Sequence, residues 1–284
     1  MGALPQYEWN SVKLSKPIVV WLGRQHQLSG YGFAARQHVA ALRSIGADVV
    51  AIDSASGSLV GSVPEGLVKV TQSRDRTTIK AVDPDRPIVT VVHDRPDFFT
   101  KVTASGRARL IGYSYWETSS LPPNWAGWQT SMDAVWTSSQ FNADIFEEAG
   151  VPPWMIEIVG HPIDPLLLEV RDTIPSSARR WKESTVFLSV ISSTVGRRDM
   201  NLLFEAFSAA FDAGDDVALV LKVPEDGGAG LGETFERAFR ETSSMRASRL
   251  PPSIYVIADQ LTREQIVRLH ASVDAYISCE RGNG

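Results

Sequence analysis

Short apolar runs rich in β-branched residues alternate with stretches of helical periodicity along the whole chain. In the first half, strands are predicted at 17–23, 47–53, 87–94, 109–117, 133–139 and 156–162, and helices at 32–45 and 140–149. The strand candidates are apolar nearly throughout rather than at every second position, which is typical of strands that are covered on both faces. The alternation therefore predicts a parallel sheet with helices on both sides.

A second series of the same kind follows a polar, proline-containing stretch. Its predicted strands are 185–192, 216–223, 253–259 and 274–280, and its predicted helices are 199–213, 231–246 and 262–271. We therefore expect an α/β protein with two Rossmann-like, parallel-sheet domains that face a cleft. The first domain is expected at 1–164, the linker at 165–184 and the second domain at 185–284.

The second series stops at its fourth strand candidate, and no helical pattern follows it. A sheet that ends in this way leaves an open edge and an uncovered face. We therefore expect the second domain to be incomplete. Either the chain is truncated, or the protein is naturally short, or a partner or a second copy of the chain covers the edge.

Composition narrows the class of protein. Of the 284 residues, 43% are hydrophobic and 21% are charged, as in a soluble globular protein. No apolar run approaches the roughly 18 residues that span a bilayer, and the first residues lack the apolar core of a secretion signal, so we expect a cytoplasmic protein, with peripheral contact to a membrane left open. The formal net charge of −5 argues against nucleic-acid binding. The single cysteine, Cys279, excludes an internal disulfide and lies in an apolar run where burial is expected.

The first candidate site is a glycine-rich turn between the first strand and the first helix. It contains Gly30 and Gly32, and glycines there let backbone N–H groups approach a phosphate at the positive end of the helix. Together with Ala35, and with Asp53 at the end of the next strand, the two glycines also fit a dinucleotide fingerprint. That fit favours a nicotinamide-dependent oxidoreductase.

The spacing of this turn counts against the fingerprint. Its first glycine must follow the strand closely, and Gly30 lies seven positions beyond Gly23. A longer loop suits a mobile cover over a cleft between domains. A purely structural alternative stays open, in which Ser29 caps the helix and the turn binds nothing.

Two further candidates follow later strands of the first series. His93 stands at the carboxyl end of a predicted buried strand, where open α/β sheets bind their ligands, although a structural role for a single histidine is about as common there. Glu117 ends an aromatic run before a proline-containing loop. Aromatic faces beside a carboxylate suit the C–H faces and hydroxyl groups of a sugar. In the alternative, Trp116 belongs to the core and Glu117 caps the following turn.

The second series has candidates of its own at the corresponding strand ends. Arg197 and Arg198 follow its first strand at a strand-to-helix junction, where two guanidinium groups can neutralise a diphosphate. Lys222 ends the next strand. Glu280 follows the fourth strand, and glycines after it, Gly282 among them, permit a close approach of the backbone to a ligand.

Taken in order, these segments resemble glycosyltransferase family four, which contains retaining enzymes of the GT-B type. The family's acidic-aromatic strand end, its proline loop and its D-x-V-W-x-x-S-x-F run are similar to Trp116-Glu117, Leu121-Pro122 and Asp133 to Phe141. Its linker signature, basic pair, L-x-x-A-F helix and first glutamate of a Glu-x7-Glu motif are similar to Val159 to Asp164, Arg197-Arg198, Leu203 to Phe207 and Glu280. The second glutamate of that motif is not present before Gly284.

The resemblance implies transfer of a sugar from a UDP- or GDP-linked donor to a hydroxyl group of a glycan, lipid or protein acceptor, with retention at the anomeric carbon. It implies no metal and no separate cofactor, since cationic side chains and helix-terminal N–H groups stabilise the departing diphosphate. It assigns the diphosphate to Arg197, Arg198 and Lys222, the donor nucleotide sugar to Glu280 and Gly282, the reacting sugar or the acceptor to His93 and Glu117, and a covering loop to Gly30 and Gly32.

Two other functions stay open at this point. The chain is an NAD(P)-dependent oxidoreductase if the glycines of the first turn and Asp53 bind a dinucleotide. It is an inactive, truncated nucleotide-binding or scaffold chain if the second glutamate is indispensable.

Overall fold

The computed structural model describes eleven stretches of the chain. They are residues 16–27, 29–60, 68–73, 76–83, 85–105, 108–125, 127–166, 184–191, 200–223, 231–246 and 252–279. The chain divides into two compact units, of which the first ends at Pro162 and the second spans Ile163–Asn283. The linker predicted at 165–184 lies almost wholly outside the described residues.

Ten strands and three α-helices make up the described part of the first unit. In chain order the strands are β1 (Ile18–Gly23), β2 (Asp48–Asp53), β3 (Leu59–Val60), β4 (Val68–Ser73), β5 (Arg76–Ala81), β6 (Ile88–His93), β7 (Val102–Ser105), β8 (Ala108–Tyr113), β9 (Ala134–Thr137) and β10 (Ile156–Ile158). The helices are α1 (Gly30–Ser44), α2 (Pro96–Phe99) and α3 (Gln140–Glu148), with short 3₁₀ helices at Pro123–Trp125, Trp128–Ser131 and Pro153–Met155.

The main sheet of this unit has the order β10-β9-β8-β6-β1-β2-β3, and within its described strands only β3 is antiparallel to its neighbour. The strand order reverses at β1, because β2 lies on one side of it and β6 on the other. The register places Gly23 level with Asp53 and with His93, and His93 level with Tyr113. Ligands of open parallel sheets bind at the carboxyl ends of the strands beside such a reversal.

Both faces of the main sheet are covered, as the continuous apolar runs predict. Ile18, Val20 and Leu22 of β1 pack into one core with α2 and α3. Trp21 of the same strand packs on the other face against α1. Alternate residues of a strand point to opposite faces, so a strand between two helical layers must be apolar at every position.

A small second sheet in this unit is not predicted from the sequence. Its order is β4-β5-β7, with β4 antiparallel and β7 parallel to β5. The two strands of the β4–β5 hairpin contain three threonines and two lysines, and only one face of the hairpin is apolar. Ile79 and Val102 are its fully buried apolar residues that join the core of the main sheet.

The described part of the second unit contains a parallel sheet of four strands and three α-helices. The strands are β11 (Thr185–Val190), β12 (Val217–Lys222), β13 (Ser253–Ile257) and β14 (Ala275–Tyr276), and the helices are α4 (Met200–Ala210), α5 (Leu231–Arg246) and α6 (Arg263–Ala271). The sheet order is β13-β12-β11-β14. The sequence predicts all seven of these elements.

In each unit an aspartate links two neighbouring strands through the same pair of hydrogen bonds. Asp133 donates its backbone N–H to Leu110 and accepts the N–H of Leu110 on its side chain, with both distances 2.8 Å. Asp274 does the same with Val186, at 2.9 and 3.0 Å. The aspartate of the D-x-V-W run is therefore a structural residue at the amino edge of the sheet, opposite the ligand edge.

An ion pair between a buried aspartate and a half-exposed arginine holds the beginning of the second unit. Asp164 is 2% exposed and accepts hydrogen bonds from both Nε and a terminal nitrogen of Arg263, the first residue of α6. It also accepts the N–H of Leu166 at 3.0 Å. Bidentate pairing of this kind fixes geometry as well as charge, so Asp164 joins the chain after Pro162 to α6.

Candidate functional site

The carboxyl ends of β6 and β8 collect histidine and aromatic rings in the first unit. The ring centroids of Trp21, Tyr31, His38, Tyr113 and Tyr115 lie 5.6, 5.6, 5.9, 4.6 and 5.9 Å from that of His93. His93 comes from β6, whereas Tyr31 and His38 come from α1. The topology thus brings residues far apart in sequence to the strand end that the sequence identifies as a site.

His93 lies where the sequence predicts it, but its side chain is fully buried. Neither ring nitrogen of His93 has a hydrogen-bond partner among the described residues. Burial, followed by repulsion from His38 and His161, lowers the pKa of His93 well below its ordinary value. The imidazole is therefore neutral near pH 7, with one N–H group and one lone pair unused.

Tyr113 connects two other histidines through its hydroxyl group. The hydroxyl donates to the carbonyl oxygen of Val159 at 2.8 Å, and it lies 3.2 Å from His38 Nε2 and 3.2 Å from His161 Nδ1. Because the single hydroxyl hydrogen is used by the carbonyl, both histidine nitrogens must donate to the phenol oxygen. The geometry therefore fixes His38 as the Nε2–H tautomer and His161 as the Nδ1–H tautomer.

Sequence reasoning does not identify His38 or His161 as parts of this cluster. His38 lies on the buried face of α1, and burial together with the neighbouring His161 lowers its pKa to about 4. His161 is half-buried, and burial lowers its pKa as well. A histidine on the apolar face of a predicted helix is the one signal that points to His38 in advance.

These three histidines should make the first unit sensitive to acid. Each binds a proton at about pH 6.5 in the unfolded chain but only at lower pH in the folded chain, so the unfolded state takes up more protons as the pH falls. For His38 alone, a change from pH 7 to pH 5 should lower the free energy of unfolding by about 2 kcal/mol. Urea unfolding at the two pH values, followed by tryptophan fluorescence, measures this loss, since seven of the eight tryptophans precede residue 163.

Matched variants separate this effect from general acid sensitivity. His38→Gln should shrink the difference between the two pH values by about that same 2 kcal/mol. His26→Gln, at an exposed histidine, is the matched control. Equal pH dependence in both variants would contradict a buried, neutral His38.

The glycine-rich turn differs from the predicted covering loop. Gly30 and Gly32 belong to the first turn of α1, and Ser29 is the N-cap whose side chain accepts the N–H of Gly32 at 3.3 Å. The capping role considered for Ser29 is therefore confirmed. Arg24 to Gln27 belong to the loop after β1. A ligand-binding role for the two glycines stays a prediction.

Arg24 and Asp94 form an ion pair at the same strand ends, which sequence reasoning does not anticipate. Arg24 Nε and a terminal nitrogen donate to Asp94 at 2.9 to 3.2 Å, and this hydrogen bonding is the main cause of the raised pKa of Arg24. Asp94 also accepts from the Ser54 hydroxyl at 3.0 Å and from the N–H of Arg95 at 2.8 Å. The pair joins the ends of β1, β2 and β6.

Asp53 is engaged by hydrogen bonds from its own loop and from the loop after β1. Its carboxylate is 2% exposed and accepts the N–H groups of His26, Ala55 and Ser56 and the hydroxyl of Ser56, at 2.9 to 3.1 Å. Burial acts to raise the pKa of Asp53, but the hydrogen bonds from His26 and Ser56 outweigh it and lower the pKa. A carboxylate engaged at both oxygens has little capacity left for a ribose, which counts against the dinucleotide fingerprint.

Glu117 follows β8 in a loop beside the ring cluster. It is half-buried. Burial is the main cause of the raised pKa values of Tyr31 and Tyr115, and the charge of Glu117 adds to it. Trp116 is half-buried rather than in the core; its indole N–H donates to the carbonyl of Ser120 at 2.9 Å. The buried aromatic residues of this run are Tyr113 and Tyr115.

In the second unit, Lys222 ends β12 level with Val190 and Ile257 of the neighbouring strands. It is 8% exposed, and its ammonium group donates to the carbonyl oxygen of Val223. The other candidates of this unit, Arg197, Arg198, Glu280 and Gly282, lie outside the described residues.

The described ranges contain neither a candidate metal site nor a candidate membrane span. No group of three or more histidine, cysteine, aspartate or glutamate side chains is arranged there to hold a metal ion. None of the helices in those ranges combines the length and the apolar character needed to cross a membrane.

Comparison with known proteins gives structural matches only. No protein-family model matches the sequence, and no curated protein matches it significantly. A glycosyltransferase from Rickettsia africae matches with a TM-score of 0.62 at 11% identity, over 94% of this chain and 73% of that chain. The E. coli trehalose-6-phosphate protein bound with UDP-2-fluoro glucose matches with a TM-score of 0.59 at 10% identity, over 93% and 78%.

An α,α-trehalose-phosphate synthase (UDP-forming) from Burkholderia vietnamiensis matches with a TM-score of 0.53 at 11% identity, over 94% of this chain and 78% of that chain. Identities this low show the fold. The predicted α/β class with parallel sheets is confirmed, and the fold is that of the GT-B proteins.

Proposed function

We propose that the chain is a glycosyltransferase that moves a sugar from a nucleoside diphosphate to an acceptor hydroxyl group. The observation that carries this proposal is that solved glycosyltransferases match over 93% and 94% of the chain, across both units. One of those structures is bound with UDP-2-fluoro glucose, and another is described as UDP-forming. A UDP-linked sugar is therefore the first donor to test.

The resemblance to family four supports a finer proposal for the chemistry. Arg197, Arg198 and Lys222 would stabilise the leaving diphosphate without a metal ion, in the manner of an oxyanion hole. Glu280 would bind the donor sugar. The reaction would proceed with retention at the anomeric carbon, and the acceptor would be a glycan, lipid or protein hydroxyl.

The first unit supports a sugar site better than a dinucleotide site. His93, Glu117 and two tyrosines gather at the strand ends, and together they combine aromatic faces, a neutral imidazole and a carboxylate, which are groups that bind polyhydroxylated ligands. The carboxylate that a dinucleotide would need, Asp53, is already engaged by four hydrogen bonds.

A binding and transfer assay tests the proposal. The protein is titrated with UDP-glucose, GDP-mannose and NADH while tryptophan fluorescence is followed, and release of the nucleoside diphosphate is then measured with glucose and with a glycolipid as acceptors. We expect saturable quenching by one nucleotide sugar and none by NADH, with transfer that persists in EDTA. Saturation by NADH, and by neither nucleotide sugar, would overturn it.

A further inference from the structure

Tyr31 and Tyr115 form a stacked pair over His93. Their ring centroids are 4.3 Å apart with an interplanar angle of 23°. The Tyr31 hydroxyl donates to the backbone carbonyl of Tyr115 at 3.1 Å. The centroid of Tyr31 lies 5.6 Å and that of Tyr115 5.9 Å from the imidazole, so the pair helps to seal His93 from solvent.

This sealed arrangement leaves His93 in an unfavourable environment. A buried imidazole whose N–H and lone pair both lack a partner within the described residues is rare in folded proteins, and each such group costs free energy. A ligand with neighbouring hydroxyl groups could satisfy both nitrogens, because one hydroxyl can donate to the lone pair while another accepts from the N–H. The ligand class that fits this requirement is a sugar.

The ring of Tyr31 occupies the place where such a ligand would stack. It covers one face of Tyr115, and the Cζ atom of Arg24 lies 5.8 Å from the centroid of Tyr31. The flat ring of Tyr31 is thus in contact range of both an aromatic face and a guanidinium group. A pyranose ring has a similar size, with an apolar C–H face for the tyrosine and hydroxyl groups for the arginine.

We propose, on the basis of the proposed function, that the ring of Tyr31 occupies the binding position of a sugar ring. When the sugar binds, it displaces Tyr31, stacks on Tyr115 and hydrogen-bonds to His93. The displacement is a rotation of one side chain in the first turn of α1, with the helix in place.

Chemical labelling tests whether Tyr31 covers His93. In the wild type, diethyl pyrocarbonate should modify His93 at least about 10-fold more slowly than the exposed His26, measured by peptide mass mapping. Tyr31→Ala should bring the two rates within about threefold of each other, while Tyr31→Phe, which keeps the ring, should stay as protected as the wild type. Tyr31→Leu repeats the test should the alanine variant not fold.

Ligand protection tests whether a sugar binds in the place of Tyr31. In Tyr31→Ala, saturating UDP-glucose together with glucose should slow the labelling of His93 by at least about fivefold, and UDP alone should not. If His93 is labelled as slowly in folded Tyr31→Ala as in the wild type, Tyr31 does not cover His93 and the proposal is wrong. Binding of UDP-glucose or glucose without slower labelling overturns the sugar as occupant and leaves the proposed transfer intact. No binding and no transfer by any sugar, with the labelling contrast preserved, overturns the proposed function instead.

Discussion

Replacement of Lys222 by methionine should lower the turnover number of sugar transfer by about 100- to 1,000-fold. Lys222 ends β12 at the carboxyl edge of the second sheet and is 8% exposed, so a charge there acts in surroundings of low polarity. Methionine retains much of the volume of the side chain but cannot stabilise a leaving diphosphate. Release of the nucleoside diphosphate at saturating donor and acceptor measures the effect on kcat.

A matched control keeps this prediction specific. Lys80→Met removes an exposed lysine from β5 of the first unit and should leave kcat within about twofold of the wild type. If Lys222→Met unfolds more easily but the folded fraction keeps its turnover, the ammonium group only supports the strand end through the carbonyl of Val223. That outcome would remove Lys222 from the catalytic assignment.

The strands of the main sheets are predictable because burial on both faces demands continuous apolar runs. The run at 17–23 has this composition, and β1 spans Ile18–Gly23. The hairpin of β4 and β5 has only one apolar face and many threonines, and its strands form because Ile79 reaches the core of a sheet distant in sequence. Local composition does not indicate that contact, so the small sheet is not predicted from the sequence.

The start of α1 shows a second limit. Two glycines disfavour a helix locally, which places the predicted start at residue 32 rather than at Gly30. The capping bond from Ser29 and the packing of Gly32 against the preceding loop outweigh that local cost.

The sequence predicts where the candidate site lies, but not whether its side chains are exposed to solvent. The end of a buried strand identifies His93, because parallel sheets bind ligands at that edge. Whether His93 is open or covered depends on Tyr31 and Tyr115, whose contact is set by how α1 packs on the sheet. His38 of α1 joins the cluster through Tyr113 for the same reason, and His161 joins it from the segment after β10. No local pattern links residues this far apart in the chain.

Gly32→Ala should destabilise the first unit by about 3 kcal/mol or more. A Cβ atom at residue 32 would overlap the carbonyl oxygen of Gln27 and lie 2.7 Å from that of Arg24. These are backbone atoms, and the loop is held in place because Arg36 donates to the carbonyls of Gln25 and Gln27 at 2.8 Å. Urea unfolding followed by tryptophan fluorescence measures the loss of stability.

Gly30→Ala, two residues earlier in the same helical turn, is the matched control. A Cβ atom there meets nothing within 4 Å, so alanine should stabilise the unit by about 0.4 to 1 kcal/mol through the lower entropy of the unfolded chain. Opposite signs at the two glycines would show that close packing of α1 on the loop after β1, rather than helix propensity, requires Gly32. Because Arg24 and Tyr31 flank this contact, a folded Gly32→Ala variant should also label His93 faster with diethyl pyrocarbonate. Equal stability of Gly30→Ala and Gly32→Ala would contradict the close approach of residue 32 to the carbonyl groups of the loop.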